Sequence, residues 1–169
     1  MDIFIIKTET AQNIERDFLL QFKQKEIHNE KKLIQHCLSY LMVDKILKEV
    51  YNIKNRSIEY KNKKPQLKTG EKHFSISHSE NLVAIGFSDF NCGIDIEHNK
   101  DRDFKSIAQR MNFPCPTLEE FYRKWTTFEA HYKLKDTANN AETFQLEDYT
   151  ITALSTNKDE VFNLYFETP

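Results

Sequence analysis

The sequence predicts an α+β protein in which helices pack on a largely antiparallel sheet, and three observations carry that expectation. One long segment repeats its apolar residues at helical spacing, several short segments alternate apolar with polar residues, and those short segments follow one another through tight junctions. Ile3 to Ile6 read as a first strand. From about Glu30 to Tyr51, Leu33, Tyr40, Val43, Leu47 and Val50 share one helical face, and Ile34, Cys37, Leu38 and Leu41 add a second, so this helix is expected to be buried on two sides. After Pro65, Phe74, Ile76 and His78 alternate with Ser75, Ser77 and Ser79; Leu82 to Phe87 form an apolar run; Cys92 to Glu97 alternate again. These are three expected strands. Phe104 to Met111 suggest a helix that Asn112 to Pro116 should end, because Pro114 and Pro116 cannot both lie in its interior. Thr117 with Glu120 forms a capping box that opens a further helix through Phe121, Trp125 and Phe128 to about Leu134. Tyr149 to Leu154 and Val161 to Phe166 are expected to finish the chain as paired strands.

The chain has 169 residues, 39% hydrophobic and 30% charged, which suffices for one core but hardly for two independent ones, so a single compact unit of two lobes is expected. No run approaches the roughly 20 apolar residues of a spanning helix, and the opening Met-Asp-Ile-Phe-Ile-Ile lacks the form of a secretion signal, so a soluble, cytoplasmic protein is expected, with no membrane partner. Cys37, Cys92 and Cys115 are odd in number and show no CxxC spacing, which suggests neither a disulfide framework nor a zinc knuckle. A net charge of -2, from 24 basic and 26 acidic residues, argues against a general nucleic-acid surface. Locally, Lys61, Lys63, Lys64, Lys68 and Lys72 crowd one stretch, which is either a solvated loop or an anion-binding element.

Gly93-Ile94-Asp95-Ile96-Glu97 is the sharpest local signal. Strand alternation sends Asp95 and Glu97 to one face and Ile94 and Ile96 to the other, with the two acids about 6.5 to 7 Å apart at the backbone. Two carboxylates so placed are either ordinary surface acids or ligands converging on one hard cation, for which magnesium is the natural candidate. Glu129 and Lys133 lie four apart on one helical face, as a plain ion pair or as a third metal ligand or proton acceptor beside a cation. His73 to Ser79 stacks hydroxyls and the His78 imidazole at a strand end, where they form a polar edge or hold a phosphate.

Lys64-Pro65, Phe-Ser-Ile-Ser-His-Ser, Gly-Ile-Asp-Ile-Glu and Trp-x-x-x-Glu-Ala-x-x-Lys occur in that order, and this ordered set resembles the 4'-phosphopantetheinyl transferases, specifically the surfactin-synthetase-activating branch. The resemblance is specific from about Lys64 to Lys133. It implies a 4'-phosphopantetheinyl transferase-like fold with two similar lobes, here approximately residues 1–92 and 93–169, and a coenzyme A cleft between them. It also implies transfer of the phosphopantetheine arm of coenzyme A to a serine of an acyl or peptidyl carrier protein of fatty-acid, polyketide or nonribosomal-peptide synthesis. Because a two-lobed chain builds its cleft internally, a monomer is expected. In that reading Asp95, Glu97 and Glu129 hold Mg2+, His78 contacts the 3'-phosphate, Lys64 and Pro65 lie along the adenosine end, Ser77 helps hold the phosphates, and Glu129 or Lys133 deprotonates the acceptor serine.

The chain departs from the family pattern at Phe128, where lysine is common, and at Gln35 or His36, where an arginine often touches the nucleotide phosphate. Both departures remove positive charge. They motivate one alternative, a degenerate relative that binds coenzyme A or a carrier protein without turnover. Another magnesium enzyme acting on a pyrophosphate or nucleotide is a separate, third reading.

Overall fold

The protein is described here from a computed structural model, over residues 1–113 and 115–167. Strand β1 (Asp2–Lys7) leads through a 3-10 turn (Thr8–Asn13) and the short helix α1 (Arg16–Leu20) into the long helix α2 (Glu30–Glu49). Asn29 caps α2 by accepting the amide of Lys32. A hairpin of β2 (Ile58–Lys61) and β3 (Lys64–Leu67) follows, then β4 (His73–Ser79), β5 (Leu82–Ser88) and β6 (Cys92–His98). Helix α3 (Phe104–Arg110) precedes α4 (Leu118–Leu134), and β7 (Asn140–Leu146), β8 (Tyr149–Ser155) and β9 (Asn163–Glu167) close the chain.

The α+β class and the mainly antiparallel pairing are as the sequence leads one to expect. One sheet has the strand order β4-β5-β1-β9, a second has β6-β8-β7, and β2 and β3 pair with each other. Alternation explains the layering. Phe4, Ile6, Val83, Ile85, Phe87 and Phe74 turn to one side of the first sheet and meet Cys37, Leu38, Met42, Val43, Ile46 and Leu47 of α2. Ile3, Ile5, Leu82 and Ala84 turn to the other side and meet Cys92, Ile94, Ile96, Ile151 and Ala153 of the second sheet. Helix α4 covers the far face of that second sheet, with Ala130 and Leu134 against Leu154.

Two departures from the sequence reading have clear causes. Residues Val161 to Phe166 do not pair with the Tyr149 to Leu154 strand. Instead β9 runs parallel to β1, with Phe4 opposite Tyr165, while β8 sits between β6 and β7. Stacking of Phe4 on Tyr165, with ring centroids 5.2 Å apart, helps draw the last strand to the first. The lysine-rich stretch is not wholly a loop: Asn62 and Lys63, at φ 51° and 65°, form a tight left-handed turn between β2 and β3. The break between the two shorter-spaced helices falls where expected, with α3 capped by Met111 and Thr117 accepting the amide of Glu120 at the start of α4; Pro114, one of the two prolines expected to enforce it, lies outside the described residues.

Gly93 sets the distance between α4 and β6. A Cβ there would stand 2.3 Å from the Ala130 carbonyl oxygen and 2.8 Å from the Leu134 amide nitrogen, and both obstacles are backbone. Gly93→Ala is therefore expected to destabilise the protein by about 1–3 kcal/mol through overpacking, read as a lowered thermal midpoint; an unchanged midpoint would show that the helix is not held at this separation.

Candidate active site

On β6, Gly93, Asp95 and Glu97 share the face turned to α4, because Ile94 and Ile96 are drawn into the core between the sheets. Asp95 is 4% exposed. Its Oδ1 accepts the Ser77 hydroxyl at 2.8 Å and the Lys133 ammonium at 2.7 Å, whereas its Oδ2 is buried without a hydrogen-bond partner. Burial pushes the carboxyl up to about 6, against the opposing pull of Lys133 and Ser77. Glu97 is half-buried and accepts the Ser79 hydroxyl and the Trp125 indole.

Strand β4 brings the serines. Ser75, Ser77 and Ser79 point at β6, and the amides of Ile94, Ile96 and His98 donate to their hydroxyl oxygens at 3.1, 3.2 and 3.1 Å. The two strands belong to different sheets, so these hydroxyls do the work of a backbone ladder. Phe74 and Ile76, on the opposite face of β4, pack toward α2, and His78 stands exposed at the end of that row. Its imidazole is held below the usual histidine range, first by partial desolvation from the surrounding walls and then by the Lys133 charge.

A cleft of about 450 Å³ opens along β4 between α2 and the C-terminal end of α4. Lys64, Pro65, Ser77, His78, Asp95 and Lys133 all line it, so six residues singled out in the sequence come together. Glu97 and Glu129 do not line this cleft. Glu129 is half-buried on α4, one turn from Trp125, which reaches Glu97, and one turn from Lys133, which reaches Asp95; it therefore occupies the same helical stripe between two residues that touch the acids. Among the described residues, no three His, Cys, Asp or Glu side chains already form a metal-ligand cluster. The donors that would suit a hard cation are the open Oδ2 of Asp95 and the carboxylate of Glu97, both oxygen, on one face of one strand.

The cleft also holds residues that sequence reasoning missed. Lys25, from the irregular segment before α2, Lys135, from the left-handed cap of α4, and Tyr40, Tyr60 and Tyr132 all face it. Tyr40 and Tyr60 join their hydroxyls at 2.6 Å, which ties the β2–β3 hairpin to α2. Of the two residues at the position where an arginine is common, His36 reaches the cleft; the Gln35 carboxamide donates to the Glu80 carbonyl. His36 accepts the Gln24 amide through Nε2, and desolvation first and the nearby Lys25 second lower it to about 4, so it supplies no charge at neutral pH. Phe128 is exposed beside Phe113 and Trp125.

Lys64 has a structural commitment its sequence position did not reveal. Its ammonium donates to Asn91 Oδ1 at 2.6 Å, to the Cys92 carbonyl at 2.7 Å and to the Leu134 carbonyl at 3.4 Å. It thereby joins the hairpin, the start of β6 and the negative end of α4. Lys64→Met is expected to cost about 1.5–3 kcal/mol of stability with no ligand added, measured by urea denaturation; a midpoint equal to wild type would show that the ammonium is not a strut.

An α+β protein with a lysine-lined cleft ending on a buried carboxylate is equipped to take a polyanion together with a hard cation. No protein-family model matches the chain. Over 118 residues it is 29% identical to a 4'-phosphopantetheinyl transferase of Aneurinibacillus migulanus, an alignment covering 62% of this chain and 49% of that protein. The chain thus spans about half the length of the curated relative it matches. No helix among the described residues is long and apolar enough to cross a membrane.

Proposed function

We propose that this protein is a 4'-phosphopantetheinyl transferase of the surfactin-synthetase-activating type, moving the phosphopantetheine arm of coenzyme A to a serine of an acyl or peptidyl carrier protein. The observation that carries the reading is the cationic cleft whose buried end presents Asp95 with one oxygen free of hydrogen bonds. Similarity to the Aneurinibacillus migulanus transferase supports it. The two sheets, each with its own helix, are read as the two lobes of a cytoplasmic monomer.

In this reading Asp95, Glu97 and Glu129 hold Mg2+, and their hard oxygen donors fit that ion. When bound, the ion neutralises charge on the pyrophosphate and stabilises the leaving group. The chain's own residues do the rest. His78 meets the 3'-phosphate, Lys25, Lys63 and Lys135 offset its charge, and Pro65 with the strut of Lys64 forms the wall along the adenosine end. Ser77 is bonded to Asp95, so it serves the phosphates by fixing that carboxylate. Glu129 takes the proton as the carrier serine oxygen attacks the phosphorus next to pantetheine. The new serine O–P bond forms as the bond to the bridging pyrophosphate oxygen breaks, releasing adenosine 3',5'-bisphosphate. Lys133, beside Asp95, is placed to balance the charge that develops.

A second reading, a binder of coenzyme A without turnover, is favoured by the exposed apolar Phe128 and the uncharged His36. Intact mass measurement of apo carrier proteins incubated with the protein, coenzyme A and Mg2+ separates the two. One phosphopantetheine gained, and prevented by EDTA, is the expected result; coenzyme A binding with no gain on any carrier selects the second. Asp95→Ala is expected to abolish transfer, and full activity in that variant would overturn the assignment. His78→Ala should weaken coenzyme A binding roughly tenfold, ~1.4 kcal/mol and close to the lower end of what a hydrogen bond to a charged group contributes, as read by calorimetry.

A further inference from the structure

Glu97 lies at the far end of the acidic pair, outside the cleft, and a glutamate there is free to adopt many rotamers unless something holds it. Two side chains from two different elements do so. Ser79 Oγ, on β4, donates to Oε2 at 3.0 Å, and Trp125 Nε1, on α4, donates to Oε1 at 3.2 Å. Each carboxylate oxygen thus has one donor and keeps lone-pair capacity for another partner.

Both donors are themselves constrained. The His98 amide donates to the Ser79 oxygen at 3.1 Å, which turns the hydroxyl proton toward Glu97. The indole of Trp125 has a donor and no acceptor, and its ring is stacked on Phe121 at 6.0 Å with an interplanar angle of 20°. An aromatic residue at helical spacing is usually core filling. Trp125 is only half-buried, and its polar edge is aimed at a carboxylate.

We propose that Ser79 and Trp125 are positioning residues that fix the Glu97 carboxylate to receive the divalent cation, an inference that rests on the reading that Asp95 and Glu97 hold that ion. Asp95 is oriented by a parallel device, the Ser77 hydroxyl pinned by the Ile96 amide, so the two acids are aimed by the same strand. Asp95 also takes a donor from α4, Lys133, but on the same oxygen as Ser77, whereas Trp125 holds the second oxygen of Glu97. Trp125 therefore makes the orientation of a β6 acid depend on the seating of the helix that carries Glu129 and Lys133.

The test is direct cation binding by the full chain. Mn2+ is titrated in the presence of coenzyme A, free Mn2+ is read by electron paramagnetic resonance against a protein-free coenzyme A blank, and thermal midpoints are recorded alongside. Ser79→Ala and Trp125→Phe are each expected to weaken Mn2+ binding about tenfold, and Ser79→Thr, which keeps the hydroxyl, to restore it. Trp125→Phe retains the ring, so it decides the matter if Ser79→Ala does not fold. Variants that bind Mn2+ as tightly as wild type, whatever their thermal midpoints, overturn the positioning role alone. A wild type that takes up no Mn2+ beyond the blank overturns the cation site itself, and this proposal with it.

Discussion

Where β4 meets β6, two sheet edges are brought together out of water, and the amides of Ile94, Ile96 and His98 need acceptors there. A buried amide left without one costs about 1–3 kcal/mol, so three in a row would be hard to sustain. Ser75, Ser77 and Ser79 meet the need because strand alternation puts all three hydroxyls on the side that β6 approaches. A hydroxyl that accepts an amide still has a proton to give. Ser77 and Ser79 give theirs to Asp95 and Glu97, so the bonds that close the seam also orient the acids.

Around that seam the charges are arranged in layers. Lysines from the segment before α2, from the hairpin turn and from the end of α4 surround the cleft, and Asp95 is the carboxylate at its floor. Lys133 stands between these layers, half-buried and bonded to Asp95. Lys64 looks in the sequence like one more free cation, but its donors are spent on Asn91, Cys92 and Leu134, and desolvation lowers its pKa. Its contribution is to hold the hairpin wall against the second sheet. The chain therefore separates the lysines that shape the cleft from those that charge it.

Much of this was legible in the sequence where one periodicity decided the matter. The Ser75-Ser77-Ser79 and Asp95-Glu97 faces follow from strand alternation, and the stripe of Trp125, Glu129 and Lys133 follows from the turn of a helix. Strand β7 was not legible, because Asn140 to Leu146 is an edge strand with mostly polar residues and too few apolar ones to show alternation. The β2–β3 hairpin was hidden by lysines, by Pro65 and by a left-handed turn made without glycine. The pairing of β9 was illegible in principle: adjacency in the chain favours β8, whereas the partner is at the opposite end of the sequence. Lys25 and Lys135 reach the cleft from a coil and a helix cap, where no period constrains a side chain.

Placing β9 beside β1 has a consequence for the order in which the molecule can assemble. The first strand is made well before its parallel neighbour, which is contributed by residues 163–167. The Met1 amino group likewise finds its buried counterion in Glu160, which also takes the hydroxyls of Ser88 and Ser155. Contacts that span nearly the whole chain carry a large loop-closure entropy and form late. A nascent chain can therefore dock α2 onto β1, β5 and β4 while the outer edge of β1 stays open, and the first sheet reaches its full width only after the second has been built.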